Sequence, residues 1–235
     1  MKPNSQNRTT LNEFAHGNIN REYLLYVPSS YSRKSEAPIV LNFHGFGGTA
    51  AGQLHYSDWR ELANKHGFIL IYPEGLELKT GGSHWNPKPA TRGSKSDSND
   101  LGFIRGLIER ISTEYSVDST RVYATGYSNG AGMAYGLAHH ESDLIAGIAP
   151  VSGLMNSRNL KFISKISPVG LISFNGNDDL VRPTSGIEGY LASAADTSRY
   201  WAEVNHSKQT KVKRYEQTSD NFICLLYTSD AADDQ

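Results

Sequence analysis

The sequence has little of what marks several specialised protein classes. It contains one cysteine in 235 residues, so it can form no intramolecular disulfide, and cysteine usage does not indicate a compartment. Its 23 Lys and Arg balance 24 Asp and Glu without a basic block, which argues against a nucleic-acid partner or an anionic membrane surface. Its apolar runs are far shorter than the roughly 20 residues that span a bilayer. These absences predict a globular protein with a small or neutral partner.

The length favours one large domain with a substantial core. Residues 1–19 form a polar leader without the apolar stretch of a secretory signal, and we expect the domain to occupy residues 20–223. Localisation and oligomeric state stay open at this point.

Strand-like and helix-like segments alternate along the chain, which predicts an α/β fold with a mostly parallel sheet and helices on both faces. The long loop over residues 75–99 is rich in Gly, Ser and Pro, and a loop of this length in a compact domain is typical of a functional segment. The predicted strands are residues 22–27, 39–43, 68–72, 121–125, 145–151, 169–174 and 210–217, and the predicted helices begin near residues 56, 100, 129 and 191.

One motif carries most of the functional information. Gly126-Tyr127-Ser128-Asn129-Gly130 matches G-x-S-x-G and lies between a predicted strand and a predicted helix, the context of a nucleophile elbow. Its glycines are expected where strand and helix backbones come too close for a β-carbon, while the serine is held in a strained conformation. We therefore predict Ser128 as the nucleophile. The alternative, a Gly/Ser-rich turn without chemistry, is disfavoured by the flanking elements.

A nucleophilic serine needs backbone donors for the oxyanion and a base for its proton. The amide of Asn129 is one predicted donor, and the amide of Phe46, in the loop His44-Gly45-Phe46-Gly47-Gly48, is the second. His44 follows the wrong strand to be the base, so we expect it to pack and form hydrogen bonds near the substrate.

The acid is expected in the turn Asn175-Gly176-Asn177-Asp178-Asp179, which follows a predicted strand and comes after the serine, as the order Ser…Asp…His requires. Asp178 and Asp179 compete for this role, and Asp179 is preferred.

Together the motifs resemble the α/β-hydrolase esterase family of polyhydroxybutyrate depolymerases and feruloyl esterases. The resemblance covers about residues 23–215. It implies an α/β-hydrolase fold, Ser128 as nucleophile, Asp179 as acid and Trp85 near the acyl pocket, with His44 and Tyr127 as further substrate-binding candidates. It also implies secretion, no cofactor and no metal. Its carriers are Tyr26–Pro28, the His44-Gly45 loop, residues 67–75, Trp85-Asn86, residues 100–104 and the motif at Ser128.

The chain also departs from the family pattern. Asn175 and Leu180 replace a histidine and a proline that flank the family's acid, and the family's catalytic histidine stretch has no match. Residues 224–234 resemble a translated sequencing-library adapter, so we expect residues 224–235 to be a non-native tail. On this interpretation the last strand, the histidine loop and the last helix are missing, and the chain as written has little activity.

The predicted function is hydrolysis of a carboxylic ester, small or polymeric, by an acyl-enzyme mechanism, and the resemblance implies polyester or plant-cell-wall-type esters as substrates. Two alternatives remain: a catalytically silent binding protein on the same fold, or a serine peptidase or acyltransferase. A histidine loop beyond Ile223 would separate the enzyme from the silent protein.

Overall fold

The computed structural model describes residues 7–89, 94, 96–161, 166–207, 211–217 and 222–229, the last two ranges as backbone only. A nine-stranded sheet and five α-helices make up most of this part of the chain. The strands are β1 (Thr9–His16), β2 (Ile19–Tyr26), β3 (Ala37–Phe43), β4 (Ile69–Pro73), β5 (Leu76–Glu77), β6 (Ser83–His84), β7 (Val117–Tyr127), β8 (Gly147–Val151), β9 (Gly170–Ser173), β10 (Lys211–Gln217) and β11 (Phe222–Ser229). The helices are α1 (Ala50–Tyr56), α2 (Arg60–His66), α3 (Asp100–Glu114), α4 (Asn129–His140) and α5 (Ala194–Val204).

The centre of the sheet is parallel and its margins are antiparallel. The strand order is β1-β2-β4-β3-β7-β8-β9-β11-β10, while β5 and β6 form a separate small hairpin. Strands β4, β3, β7, β8 and β9 run parallel to their neighbours in that order, whereas β1 and β2 on one side and β11 and β10 on the other pair antiparallel. The carboxyl ends of the parallel strands therefore meet at one edge, where α/β folds place their sites.

Alternation along the central strands sends side chains to two cores. On β3, Ile39 and Leu41 join the larger core, whereas Val40 joins the smaller one. Helices α3, α4 and α5 contribute to the larger core and α1 and α2 to the smaller. This arrangement confirms the predicted α/β class with helices on both faces of a mostly parallel central sheet.

The elements differ from the predictions in two places near the amino terminus. Strand β1 lies within the segment assigned to a polar leader, and it pairs with β2 over its full length. The helix predicted from Tyr56 begins only at Arg60, as α2, and it is preceded by a short helix, α1, that was not predicted. The predicted carboxyl-terminal glycine is confirmed, since Gly67 ends α2 with φ of 74°.

At the other margin, β11 includes residues that the sequence analysis assigned to a non-native tail. It lies between β9 and β10, so the predicted strand at 210–217 forms as β10 but is not adjacent to β9. No helix in the described part of the chain has both the length and the apolar character to cross a membrane.

Candidate active site

The turn between β7 and α4 has the geometry of a nucleophile elbow. Ser128 separates the last residue of β7 from the first residue of α4 and has φ of 55° and ψ of −107°. A positive φ is costly for a serine, which has a β-carbon, and must be imposed by the surrounding structure. The strained conformation predicted from the motif is therefore confirmed.

Close backbone packing at the two glycines of the motif explains the strained conformation of Ser128. A β-carbon on Gly130 would lie 2.4 Å from the carbonyl oxygen of Phe43, and one on Gly126 would lie 2.6 Å from the carbonyl carbon of Gly130. Strand β3, strand β7 and helix α4 thus meet backbone to backbone at this turn. No larger residue fits without moving one of them.

Ser128 faces a pocket of about 310 Å³ at the carboxyl edge of the sheet. Its backbone N–H donates to the carbonyl oxygen of Val151 at 3.0 Å, which fixes the turn on β8. Its hydroxyl does not cap α4. The volume is in the range of small-ligand sites. The pocket wall comes from α4, the loop after β6 and two segments after β8 and β9, and includes Trp85, Asn129, Tyr135, Leu154, Arg158, Arg182 and Tyr190.

Two hydrogen bonds connect the elbow to the long loop. The Asn129 side chain accepts from the N–H of Trp85 at 2.8 Å through Oδ1 and donates to the carbonyl oxygen of Trp85 at 3.2 Å through Nδ2. Trp85 is buried, and its indole Nε1 donates to the carbonyl oxygen of His44 at 3.0 Å. Trp85 therefore joins the elbow to the loop after β3 while forming part of the pocket wall. The motif predicted only the amide of Asn129 and gave no sign of this use of its side chain.

A buried ion pair supports the same loop from behind. Arg21 on β2 lies with its guanidinium 2.8 Å from Asp100 Oδ1, and both side chains are almost inaccessible to solvent. Asp100 also accepts from the N–H of Asn86 and the hydroxyl of Ser98 through Oδ2, at 2.8 and 2.7 Å. Burial lowers the pKa of Arg21, and the neighbouring Asp100 opposes that shift. This pair holds the backbone next to Trp85.

His44 has both ring nitrogens engaged inside the fold. The N–H of Gly75 donates to Nε2 at 2.9 Å, so Nδ1 carries the proton and donates to the carbonyl oxygen of Gly45 at 2.7 Å. The side chain is 1% exposed, and burial lowers its pKa. His44 is not among the described residues that line the pocket.

Two further predicted site residues, Tyr127 and Phe46, lie outside the described pocket wall. Each of them is 53% exposed. The loop after β3 does reach the elbow, because a β-carbon on Gly45 would lie 3.4 Å from the carbonyl oxygen of Tyr127. Within this loop Gly47 donates to the carbonyl oxygen of Ser83. Of the two predicted oxyanion donors, only Asn129 is placed beside Ser128 in the pocket wall.

The predicted acid lies in the turn after β9. Asp179 is half-buried and its Oδ1 accepts from the N–H groups of Val181 and Arg182 at 2.9 and 2.8 Å, whereas Asp178 is exposed. Asn175, at the position of the family's histidine, is buried and donates to the hydroxyl of Ser173. The turn holds Asp179 and leaves Asp178 in solvent.

All eight histidines belong to the described part of the chain, and in that part none forms a hydrogen bond with Ser128 or Asp179. His84 is buried between the carbonyl oxygen of Leu76 and the hydroxyl of Ser96. His139, at the far end of α4, contacts the hydroxyl of Tyr200, and burial lowers its pKa to about 4. Among the described residues, no cluster of His, Cys, Asp and Glu could hold a metal ion.

Helical periodicity after Ser128 is a sequence signal for several further pocket residues. Gly132, Tyr135 and Gly136 lie four, seven and eight positions after Ser128, so helical periodicity places them on the face of α4 that carries the serine. A β-carbon on Gly136 would lie 2.2 Å from the carbonyl oxygen of Pro87, so this glycine lets the long loop rest on α4. Arg158 and Arg182 lie outside every motif and are brought to the pocket by the fold alone.

Comparison with known proteins identifies the family of the chain. The family model described as esterase PHB depolymerase matches residues 21–179. A bifunctional acetylxylan esterase/xylanase of Neocallimastix patriciarum is 30% identical over 75% of this chain and 24% of its own length. Feruloyl esterase B of Piromyces equi is 27% identical over 79% of this chain and 35% of its own length. The chain thus spans only part of the curated relatives it matches.

Solved structures agree on the fold. A thermostable esterase superposes with a TM-score of 0.66 at 20% identity, over 83% of this chain and 52% of that one. An acetyl xylan esterase from Aspergillus awamori superposes with a TM-score of 0.65 at 21% identity, over 86% of this chain and 84% of that one. These similarities confirm the predicted α/β-hydrolase fold. With the family match spanning the elbow and the acid turn, this chain belongs to the PHB depolymerase family of esterases.

Proposed function

We propose that the protein hydrolyses carboxylic esters, small or polymeric, through an acyl intermediate on Ser128. The observation that carries this proposal is the strained elbow at the carboxyl edge of the sheet. It places Ser128 in the pocket wall with a hydroxyl that does not cap α4. Relatives named acetylxylan esterase, feruloyl esterase and poly(3-hydroxyalkanoate) depolymerase support the reaction class. A silent binding protein would have no need to hold Ser128 at a positive φ, and this disfavours that alternative.

Each residue of the site has its own role in the proposed reaction. Ser128 attacks the ester carbonyl, and the amide of Asn129 at the start of α4 stabilises the oxyanion, assisted by the amide of Phe46 from the loop after β3. Asp179 is the acid of the proposed site, and its half-buried position supports it over Asp178. Trp85 forms the wall against which the acyl group packs, and Tyr127 contacts substrate. His44 supports the oxyanion loop by its two hydrogen bonds to backbone.

Acylation can be tested directly on the 235-residue chain. We expect p-nitrophenyl butyrate to leave a butyryl group on the peptide that contains Ser128, detected by mass spectrometry, and added imidazole to increase the release of p-nitrophenol by supplying a base. Ser128→Ala should abolish the butyryl adduct and all release of p-nitrophenol above that caused by imidazole alone. Ser152→Ala is the matched control, because Ser152 also follows a parallel strand and has a positive φ of 45°.

Two results would contradict the proposal. One is the absence, in the parent chain, of both an adduct and any release of p-nitrophenol above the imidazole blank. The other is an adduct that persists at full level in Ser128→Ala.

A further inference from the structure

The cations in the pocket wall are not balanced by carboxylates there. Lys88, Arg158 and Arg182 belong to the described lining, which includes no Asp or Glu. Its remaining members are neutral, with Asn86, Asn156 and Asn159 as the amide side chains among them. A chain with a net charge of −1 thus has an excess of positive charge around its candidate nucleophile.

In the part of the chain that the structure describes, none of these three cations forms an ion pair. The ion pairs found there involve other basic residues: Arg21, Arg60, Arg105, Arg110, Arg121 and Arg199. The Nε of Arg182 is buried without a hydrogen-bond acceptor, and its guanidinium carbon lies 5.9 Å from the ring centre of Tyr190. A buried donor with no acceptor is costly unless a ligand supplies one.

The nearest acids along the chain do not neutralise Arg182. Asp179 accepts from the backbone N–H of Arg182, not from its guanidinium. Glu188 is exposed and, within the described residues, is in no ion pair with a pocket cation. Like charges gathered in a concave wall raise the local potential, because the low-dielectric walls focus it.

We propose that the pocket selects esters that carry a free carboxylate in addition to the ester bond. Guanidinium groups bind carboxylates through paired, charge-assisted hydrogen bonds, so Arg182 and Arg158 would hold the acid while Ser128 faces the ester carbonyl. Lys88 adds a third positive charge to the same wall. The inference rests on the proposed function for the reacting bond and adds the charge of the substrate.

The test uses two ligands that differ in one charge. Monomethyl glutarate has a carboxylate and a methyl ester, whereas dimethyl glutarate is neutral and similar in size. Binding to the Ser128→Ala chain is measured by isothermal titration calorimetry, so that turnover does not interfere. We expect the monoacid to bind at least about tenfold more tightly, a factor that corresponds to about 1.4 kcal/mol, and the preference to shrink as salt is added.

Arginine variants then locate the preference. Arg182→Gln and Arg158→Gln should each reduce it, and the double variant should abolish it while affinity for the diester stays within about twofold. Arg199→Gln is the matched control, since Arg199 lies on α5 with its side chain 74% exposed and is not among the pocket residues described. Because Arg158 is exposed, Arg158→Gln is expected to fold even if Arg182→Gln does not.

The outcomes separate this inference from the proposed function. Equal affinity for the two ligands, no measurable binding of either, or a preference that survives the double variant would overturn the inference. Butyryl transfer to Ser128 reports the proposed function independently. Acylation without a preference would leave only the proposed function standing, and a preference without acylation would leave a carboxylate-binding pocket.

Discussion

The elbow after β7 and the acid turn after β9 face the same edge of the sheet but are held by different forces. At the elbow, backbone atoms of β3, β7 and α4 touch, and two glycines are required by steric contact. At the acid turn, Asp179 is held by two hydrogen bonds from the backbone, while its neighbours Leu180 and Val181 are 95% and 70% exposed. Steric contact restricts residue type far more strongly than solvent-exposed hydrogen bonds do.

The difference explains why one turn is easy to find in the sequence and the other is not. The elbow tolerates only glycine at two positions, so it leaves a five-residue pattern. The acid turn tolerates substitution, and Asn175 and Leu180 stand where the family pattern has other residues. Four predictions test whether the two turns differ in this way.

The largest effect is expected from Gly130→Ala. Its new β-carbon would overlap the carbonyl oxygens of Phe43 and His44 at 2.4 and 2.6 Å, so we expect the free energy of unfolding to fall by roughly 3 kcal/mol or more. Gly132→Ala is the control in the same helix, since a β-carbon there meets no atom within 4 Å. It should be neutral or raise stability by up to about 1 kcal/mol. Urea unfolding measures both, and equal effects would refute steric control of the elbow.

A smaller loss is expected from Asn129→Ala. The change removes both hydrogen bonds to the backbone of Trp85 and leaves that N–H without its acceptor, at a cost of about 2 kcal/mol. Asn129→Asp keeps the acceptor oxygen and should lose less. Chemical unfolding gives the stability, and Trp fluorescence reports the surroundings of Trp85. Identical values for the two variants would show that the side chain does not anchor the loop.

At the acid turn we expect Asp179→Ala to lower the free energy of unfolding by about 1–2 kcal/mol, because two backbone N–H groups lose their acceptor. Asp179→Asn retains an oxygen at Oδ1 and should change stability by less than about 0.5 kcal/mol, as should Asp178→Ala at an exposed position. Thermal unfolding of the three variants is the measurement. If Asp178→Ala is the more damaging change, the assignment of the turn is shifted by one residue.

The smallest effect concerns pH. Burial lowers the pKa of His44 below its ordinary value of 6.5, so the unfolded chain binds the proton more readily than the folded chain does. The stability that neutral His44 provides is therefore complete above about pH 6.5 and is lost as pH falls towards the lowered pKa. Protonation would also remove the acceptor for the N–H of Gly75.

The measurement is urea unfolding of the parent and of His44→Gln at about pH 7.5 and pH 5.5. The parent should lose more stability between the two values than the variant does. Titrating groups that do not contact His44, His139 among them, contribute to both proteins and cancel in the difference. Glu74 does not cancel, because its Oε1 lies 3.5 Å from Nε2 of His44, and its effect is part of what the comparison measures. A parallel loss in both proteins would mean that His44 is not held in its neutral form.

The α/β class and the elbow could both be predicted from local sequence patterns. Strand and helix periodicity are local properties, and the two glycines at Ser128 mark a local backbone conformation that few other residues can adopt. The sequence also indicates the turn after β9 as the position of the acid, with Asp179 preferred over Asp178, and this assignment stays a prediction. The prediction errors at β1 and at the start of α2 lie where distant residues make contact. Strand β1 pairs with β2, and the hydroxyl of Tyr72 bonds to the backbone of Ser57 and Trp59 between α1 and α2.

The residues that surround Ser128 can be identified only from the folded structure. Arg158 and Arg182 are 30 and 54 positions from Ser128 along the chain, and nothing in their local sequence indicates that they share its pocket. The same holds for Arg21 and Asp100, whose buried pairing supports Trp85 across two elements of the fold. A backbone conformation leaves its mark in neighbouring residues, whereas a pocket is formed by side chains that meet only after the sheet has assembled. The pocket could not be predicted from neighbouring residues because the parallel strands bring distant segments of the chain to one edge of the sheet.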